Sequence, residues 1–330
     1  MRSHSPAGIP SCMEAQMEHC ELLIIGAGAA GMSAAAAAWE AGVRDLVLVD
    51  GASAPGGILR QCSHRGFGRA VFGSEITGPE YASFLLSGLK NTGVRLLTET
   101  EVLSVSGNRR ALLSSRMGLT ELSFHRLILA AGCRERSIGS LPVAGTRPSG
   151  VFTAGQAQEL LNLRHRLPGA EILILGSGDL GMIMAAGLQE AGAHVIAVAE
   201  QGDHYGGLAR NYHRFLKPSG IPLLLRTTVT ELYGSGRLTG VLLRQLDTGA
   251  QTHIPCDTLV TAVGLIPDRT LVSGLGSPDW LSFAGNCHHV HELVDSAVAE
   301  AASVGMLAAS ALAASGHDPD IFPEVRGLYR

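Results

Sequence analysis

Lysine is almost missing from this 330-residue chain: only Lys90 and Lys217 stand among its 25 basic residues, leaving two candidates for any Schiff-base chemistry. Aromatic residues make up 5% and charged residues 16%, with no run of like charges. The basic footprint that nucleic acid or an anionic membrane requires is therefore absent, and the formal charge of −4 points the same way. Cysteines are few and scattered, at 12, 20, 62, 133, 256 and 287, and form neither a CxxC or CxxxxC redox pair nor a zinc-ribbon spacing. Such isolated thiols suit a reducing cytoplasm. Residues 1–20 lack a signal-peptide apolar region and read as a flexible extension, with Met13 and Met17 as alternative starts. The uncharged run from Leu22 to Trp39 is long enough to imitate a membrane span, but three glycines interrupt it and no span is expected.

Glycine, by contrast, is abundant at 42 residues, and much of it lies in a repeat. Glu21-Leu-Leu-Ile-Ile-Gly-Ala-Gly-Ala-Ala-Gly31 is echoed 150 residues later by Glu171-Ile-Leu-Ile-Leu-Gly-Ser-Gly-Asp-Leu-Gly181. The same offset relates Asp50 to Glu200, the pair Gly56-Gly57 to Gly206-Gly207, and Arg60 to Arg210. Further on the match resumes at an offset of 127, pairing Lys90 with Lys217 and Val102 with Val229, so the first copy carries 23 extra residues between Arg60 and Lys90.

Each copy reads as strand, GxGxxG turn, alanine-rich helix and second strand, the last at Leu46 to Val49 or Val195 to Ala199. In such a unit the first glycine makes the tight turn, the second admits a pyrophosphate to the backbone, and the third lets helix and strand pack closely. Asp50 and Glu200, both 24 residues after the first glycine, stand where a carboxylate accepts from ribose hydroxyls. Two complete copies argue for nucleotide binding far more strongly than one glycine turn, which also serves plain packing. The second copy is the weaker case, because a duplicated unit keeps its fold after losing its ligand.

Leu127 to Gly132 and Leu259 to Gly264 read as strands that end on glycine, and Glu292 to Ala314 as a helix with Leu293, Val294, Val298 and Ala301 on one face. The second unit is closed by Gly264, so the C-terminal part is expected to rejoin the first. The fold expected is α/β, with two Rossmann-like dinucleotide-binding domains, the second inserted in the first. Residues 21–146 plus 269–330 would form one and 147–268 the other.

Together with Gly56 to Gly68, Thr77 to Tyr81, Gly132-Cys-Arg-Glu-Arg136 and Gly285-Asn-Cys-His-His-Val-His-Glu-Leu-Val-Asp295, these features resemble the FAD-dependent pyridine nucleotide-disulfide oxidoreductase superfamily. In length the chain is similar to its thioredoxin-reductase-like branch, and within that to the CxxC-less oxidoreductases linked to glycerol-3-phosphate dehydrogenases. The resemblance implies FAD in the first unit, held by Gly26, Gly28, Gly31, Asp50, Gly57, Gln61, Val102, Gly132, Gly285 and Asn286. Most relatives carry Asp where Asn286 stands; a neutral amide still bonds a hydroxyl but is no charged acceptor. The helix near Glu292 would aim its positive end at the flavin pyrimidine edge. A nicotinamide nucleotide would lie in the second unit against Gly176, Gly178, Gly181, Glu200 and Gly264.

After Glu200 the chain reads Gln201-Gly-Asp-His204, without an arginine for a 2′-phosphate, so NAD(H) is expected over NADP(H); Arg210 is the one residue that could reverse this. Thioredoxin reductases place a CxxC shortly after a Gly-Val pair, whereas Gly150-Val151 is followed by Phe-Thr-Ala154. The acceptor of the hydride pair is therefore not a CxxC disulfide, and oxygen, a quinone or dye, or a partner flavin all remain open. Cys62 and His64, in the extra segment, are the catalytic candidates, each weighed against a plain buried thiol or loop histidine. His288, His289 and His291 show no nearby carboxylate pattern and are expected to be loop histidines beside the flavin, with no metal. The leading expectation is an FAD-dependent NAD(P)H oxidoreductase. The alternative is an electron-transfer or nucleotide-binding subunit of a heteromeric flavin dehydrogenase, of glycerol-3-phosphate or amino-acid type, inactive alone. A homodimer is compatible with either.

Overall fold

The computed structural model describes residues 17–315. At its centre is Met17–Ile25, a strand whose Leu22, Leu23 and Ile24 are fully buried. A parallel strand covered on both faces needs a continuous apolar run, not an alternating one, and this run supplies it. Leu46–Val49 lies parallel on one side and Gly118–Leu129 on the other. The sheet continues outward through Arg95–Leu97 at one edge and the antiparallel strands Arg110–Ser115 and Glu101–Ser106 at the other.

The chain leaves this sheet after Leu129 and builds a second one, Val151–Thr153, Thr258–Thr261, Glu171–Leu175, His194–Ala199 and Leu223–Leu224, all parallel. It then returns through Leu281–Phe283, which pairs parallel with Leu127 to Leu129. The second Rossmann-like unit is thus inserted in the first. The outgoing and returning connections run side by side as an antiparallel pair, Cys133–Glu135 with Leu265–Pro267.

Three expected boundaries shift. The first strand begins at Met17, inside the 1–20 extension; residues 1–16 lie outside the described residues. Ala144–Gly145 already pairs with Thr227–Tyr233, so the second unit's strands start before residue 147. The long C-terminal helix spans Val294–Ala314, with Leu293 as an exposed N-cap instead of a member of the buried face.

That helix is long and apolar enough, by length and composition, to cross a membrane. Here it packs on Ala29–Glu40, the alanine-rich helix of the first unit. Ser33 Oγ donates to Val298 O at 2.8 Å, and Gly305 rests on the backbone of Ala34. Small residues on both helices permit that approach. The Leu22–Trp39 run is divided between the central strand and this helix.

A side chain at Gly305 would collide with the Ala34 carbonyl. We expect Gly305→Val to lower stability by about 1–3 kcal/mol, while Leu307→Ala, at a site 69% exposed on the same helix, stays within about 0.5 kcal/mol. Equal effects in chemical denaturation would show that the two helices do not meet at Gly305.

Candidate functional site

Both glycine turns are built to backbone width. Gly26 has φ 102°, and a Cβ on it would meet the Ala130 carbonyl; a Cβ on Gly31 would fall on the Gly26 carbonyl. Gly176, also φ 102°, and Gly181 repeat this against Ala262 and Gly176. In the first unit Gly57 faces Gly28, so that a Cβ there would lie 3.0 Å from Gly28 Cα, and Gly56 N donates to Ala27 O at 2.8 Å. Gly28 caps the Ala29–Glu40 helix without a side-chain bond, and the first turn holds no acidic residue. The helix N–H groups and its positive end are therefore available to an anion. An uncapped helix start enclosed by glycine backbone fits the FAD pyrophosphate.

Asp50 braces the same turn: Oδ2 accepts from Ala27 N at 2.6 Å and Oδ1 from Ala52 N at 2.8 Å. Its counterpart Glu200 accepts from Ser177 N at 2.9 Å, Ser177 Oγ at 2.6 Å and Gly202 N at 2.8 Å. Burial would raise the Glu200 pKa, but these bonds outweigh it and hold the carboxyl below its usual range. Each carboxylate offers about four lone-pair sites, so acceptor capacity remains for a ribose. Val102, in the strand Glu101–Ser106, follows closely on Thr100, whose N donates to Asp50 O at 3.1 Å.

The second turn differs in one charge. Asp179 stands in the first turn of the Asp179–Glu190 helix, and its Oδ1 accepts from Leu208 N at 2.7 Å. That carboxylate offsets the positive helix end which the first unit leaves open. Gly264 has φ 115°, and its carbonyl accepts from Arg136 N in the crossing pair. Arg210 is exposed; after the Arg214 bond it adds to the field that lowers the Glu75 pKa across the two units.

The extra residues of the first unit form the contact with the second. Gln61, expected at FAD, donates its Nε2 to Gly155 O at 2.9 Å and to Gln158 Oε1 at 3.2 Å, and Asn162 Nδ2 donates to Gln61 O at 2.7 Å. Its amide is thus committed to the Ala154–Asn162 helix. Cys62 Sγ lies 3.3 Å from Ile58 O and 3.7 Å from Gln158 Oε1, and burial pushes the thiol up to about 12. His64 packs between Phe67 and Phe215, with ring centroids at 5.0 and 5.8 Å, and burial followed by the Arg214 charge lowers it to about 4. Glu75 Oε2 accepts from Arg214 Nη1 at 2.8 Å beside it. A protonated thiol and a neutral imidazole suit packing better than acid–base chemistry.

Gly285 requires its left-handed φ of 68° and sits against Ala30 Cβ, which brings Asn286 beside the first glycine turn. Asn286 Oδ1 accepts from His291 N at 3.0 Å, and Nδ2 lies 3.7 Å from Cys133 Sγ. Gly132 has φ 77°, and its carbonyl accepts from Asp268 N on the returning connection. The start of Val294–Ala314 carries Asp295, whose Oδ2 accepts from Ala70 N at 3.0 Å, so this helix end is partly neutralised.

The expectation that the three histidines lack a carboxylate is overturned. Glu300, in the second turn of the helix, lies 3.3 Å from His288 Nδ1, 3.3 Å from His289 Nδ1 and 3.0 Å from His291 Nε2. Two other residues were not anticipated. Glu135 accepts from Gly155 N with both oxygens, at 2.9 and 3.0 Å, and Gln158 is buried under Gln61. The Thr153-x-x-Gln156 capping box that starts the Ala154–Asn162 helix, which carries Gln158, is legible in the sequence.

The chain belongs to the pyridine nucleotide-disulphide oxidoreductase family, matched over residues 20–278, and shares its class, an FAD-dependent oxidoreductase. Hydrogen cyanide synthase subunit HcnB of Pseudomonas aeruginosa is 30% identical over 281 residues, covering 77% of this chain and 59% of that protein. An opine oxidase subunit of Agrobacterium tumefaciens is 28% identical over 284 residues, 78% of this chain and 54% of that one. The chain thus spans little more than half the length of these relatives. Among solved structures, thioredoxin reductase from Lactococcus lactis superposes with a TM-score of 0.73 at 20% identity, over 89% of this chain and 99% of that one. The T. acidophilum enzyme gives 0.71 at 22% identity, over 90% and 99%.

Two outcomes follow for the candidate side chains. With its thiol near 12, Cys62 should alkylate at pH 8 at least about 100-fold more slowly than a free cysteine, as read by mass spectrometry after iodoacetamide; comparable rates would place it at an open site. His64 stays neutral in the folded state down to about 4, whereas the unfolded chain protonates it near pH ~6.5. The unfolded state therefore binds more protons in that window, so stability falls as pH drops through it, by at most about 1.4 kcal/mol per pH unit. His64→Leu should remove that part of the slope in urea titrations across the window.

Proposed function

We propose that the chain exchanges a hydride between NAD(H) and FAD and passes electrons to or from an acceptor other than a CxxC disulfide. The observation that carries this is the doubled turn: the same glycine contacts and the same braced carboxylate occur at Gly26 with Asp50 and at Gly176 with Glu200. FAD, when bound, supplies the redox ring. The chain's own part is to hold it: the Gly26–Gly31 turn and helix start take the pyrophosphate, Asp50 the ribose, Val102 the adenine, and Gly285 with Asn286 the ribityl-phosphate end. In the second unit Gly178 and Gly181 take the other pyrophosphate and Glu200 the ribose. Glu200 is already held ionised, which repels a 2′-phosphate and favours NADH.

A second reading has a specific support. Asp179 sets a carboxylate where the second pyrophosphate would lie. HcnB and the opine oxidase relative, like the similar alpha chain of a sarcosine oxidase from Rhizobium meliloti, are by name subunits of larger enzymes. In this reading the chain is the FAD-holding subunit of a heteromeric flavin dehydrogenase, idle without its partner. We place it in the cytoplasm in either case, a reading supported by the five free thiols among the described residues.

Anaerobic titration of the purified, FAD-loaded protein separates these readings. NADH should bleach the flavin within seconds, at a concentration at least about tenfold below that needed with NADPH, and Glu200→Gln should narrow that gap. If neither nucleotide bleaches a flavin that dithionite reduces, hydride exchange is ruled out and the subunit reading stands.

A further inference from the structure

We propose that His288, His289, His291 and Glu300 form a binding site for one divalent transition metal of the zinc class, which ties the Gly285–Asn286 loop to the Val294–Ala314 helix. The nitrogens of His288, His289 and His291 converge on the two oxygens of Glu300 at 3.3, 3.3 and 3.0 Å. Donors bound at ~2.1 Å to a common tetrahedral ion stand about 3.0–3.4 Å apart, and the spacings of His289 and His291 to the shared oxygen Oε2 match such edges, while His288 stands as close to Oε1 of the same carboxylate. The donor atoms of His288, His289 and Glu300 all lie within 4.8 Å of one another.

A simple ion-pair cluster explains this arrangement less well. One carboxylate serves three imidazoles, and His291 Nε2, on a side chain only 7% exposed, makes no hydrogen bond although Glu300 Oε2 is 3.0 Å away. A buried ring nitrogen beside a carboxylate oxygen, with no well-aligned hydrogen bond between them, is an arrangement that a cation would relieve. The donor set, imidazole with one carboxylate, suits zinc and its neighbours. The adjacent thiol does not belong to it, because Cys287 Sγ is turned to Leu129 O at 2.8 Å and Ala284 O at 3.3 Å. The donors that lie within 4.8 Å of one another are those of His288, His289 and Glu300, and His291 Nε2 stands against Glu300 Oε2 as the fourth; a shell of four protein donors would be closed, as in structural zinc sites.

Its place gives it a task. Glu300 Oε1 also accepts from Gly285 N at 3.1 Å, and His291 N donates to Asn286 Oδ1. An ion here would lock the two residues that, on the reading proposed above, hold the ribityl-phosphate end of FAD.

The test measures metal directly and so does not depend on hydride exchange. Full-length, FAD-loaded protein is incubated with zinc sulfate, gel-filtered and assayed for metal by mass spectrometry, and a parallel sample receives Co(II). About one zinc per chain, tetrahedral Co(II) bands in the visible spectrum, and at least tenfold weaker binding in His289→Ala, His291→Ala and Glu300→Gln, with His253→Ala unchanged, support the site. Retention well below one equivalent, retention unaltered by the three variants, or uptake only after FAD is removed would each overturn it. Should the variants not fold, X-ray absorption of the wild-type zinc protein decides: imidazole scattering with an oxygen donor supports the proposal, and a first shell without imidazole refutes it.

Discussion

The close approach of a helix start to a strand end is the constraint on which the rest of the molecule depends. At Gly31 there is room for a hydrogen but not a methyl group, because the Gly26 carbonyl occupies the space. This contact drives the Ala29–Glu40 helix onto the turn and leaves its first N–H groups pointing outward without a side-chain cap. Everything placed around the anion position answers to that geometry: Asp50 bonds the turn from below, Gly56 N holds it from the side, and Gly285 closes on Ala30. The alanine face of the same helix then admits Gly305 of the C-terminal helix, so the segment that returns to the first unit packs on the element that defines the phosphate site.

The two units keep this skeleton and differ in charge and in what surrounds it. The first has no acid in its helix start; the second has Asp179, bonded to Leu208 N. A fixed carboxylate at a helix N-terminus is stabilising to the fold but competes with a phosphate for the same field. The first unit alone carries the extra segment, and that segment is spent on joining the units, through Gln61 to Gly155, His64 to Phe215 and Glu75 to Arg214.

Local features of the chain were legible from its residues. The repeat at 150, the strand at Leu46 to Val49 and the return of the chain at Leu281 depend on periodicity and on glycines whose φ no other residue adopts readily, and such signals are local. What could not be read were contacts set by packing angle. Gln61 meets Gln158 across 97 residues, and nothing in either neighbourhood announces it. Glu300 was missed because the helix begins at Val294, which turns the carboxylate back toward His288 to His291; sequence spacing alone shows no ligand pattern there. The exposure of Leu293 has the same origin, since an N-cap residue has left the helical face.

The interface between the units also explains why the missing dithiol is not simply a deletion. After Gly150-Val151 the structure has a capped helix start: Thr153 and Gln156 form a capping box, and the Glu135 carboxylate accepts from Gly155 N with both oxygens. Glu135 belongs to the connection that links the units, so the cap couples the helix to the crossing pair Cys133–Glu135 and Leu265–Pro267. Beneath it Gln158 is buried against Gln61 and Cys62. A redox pair here would need one sulfur reactive and accessible, whereas the nearby Cys62 thiol is buried and held protonated. After Gly150-Val151 the chain thus carries a capped helix start whose neighbours Glu135, Gln61, Cys62 and Gln158 are engaged in packing and hydrogen bonds.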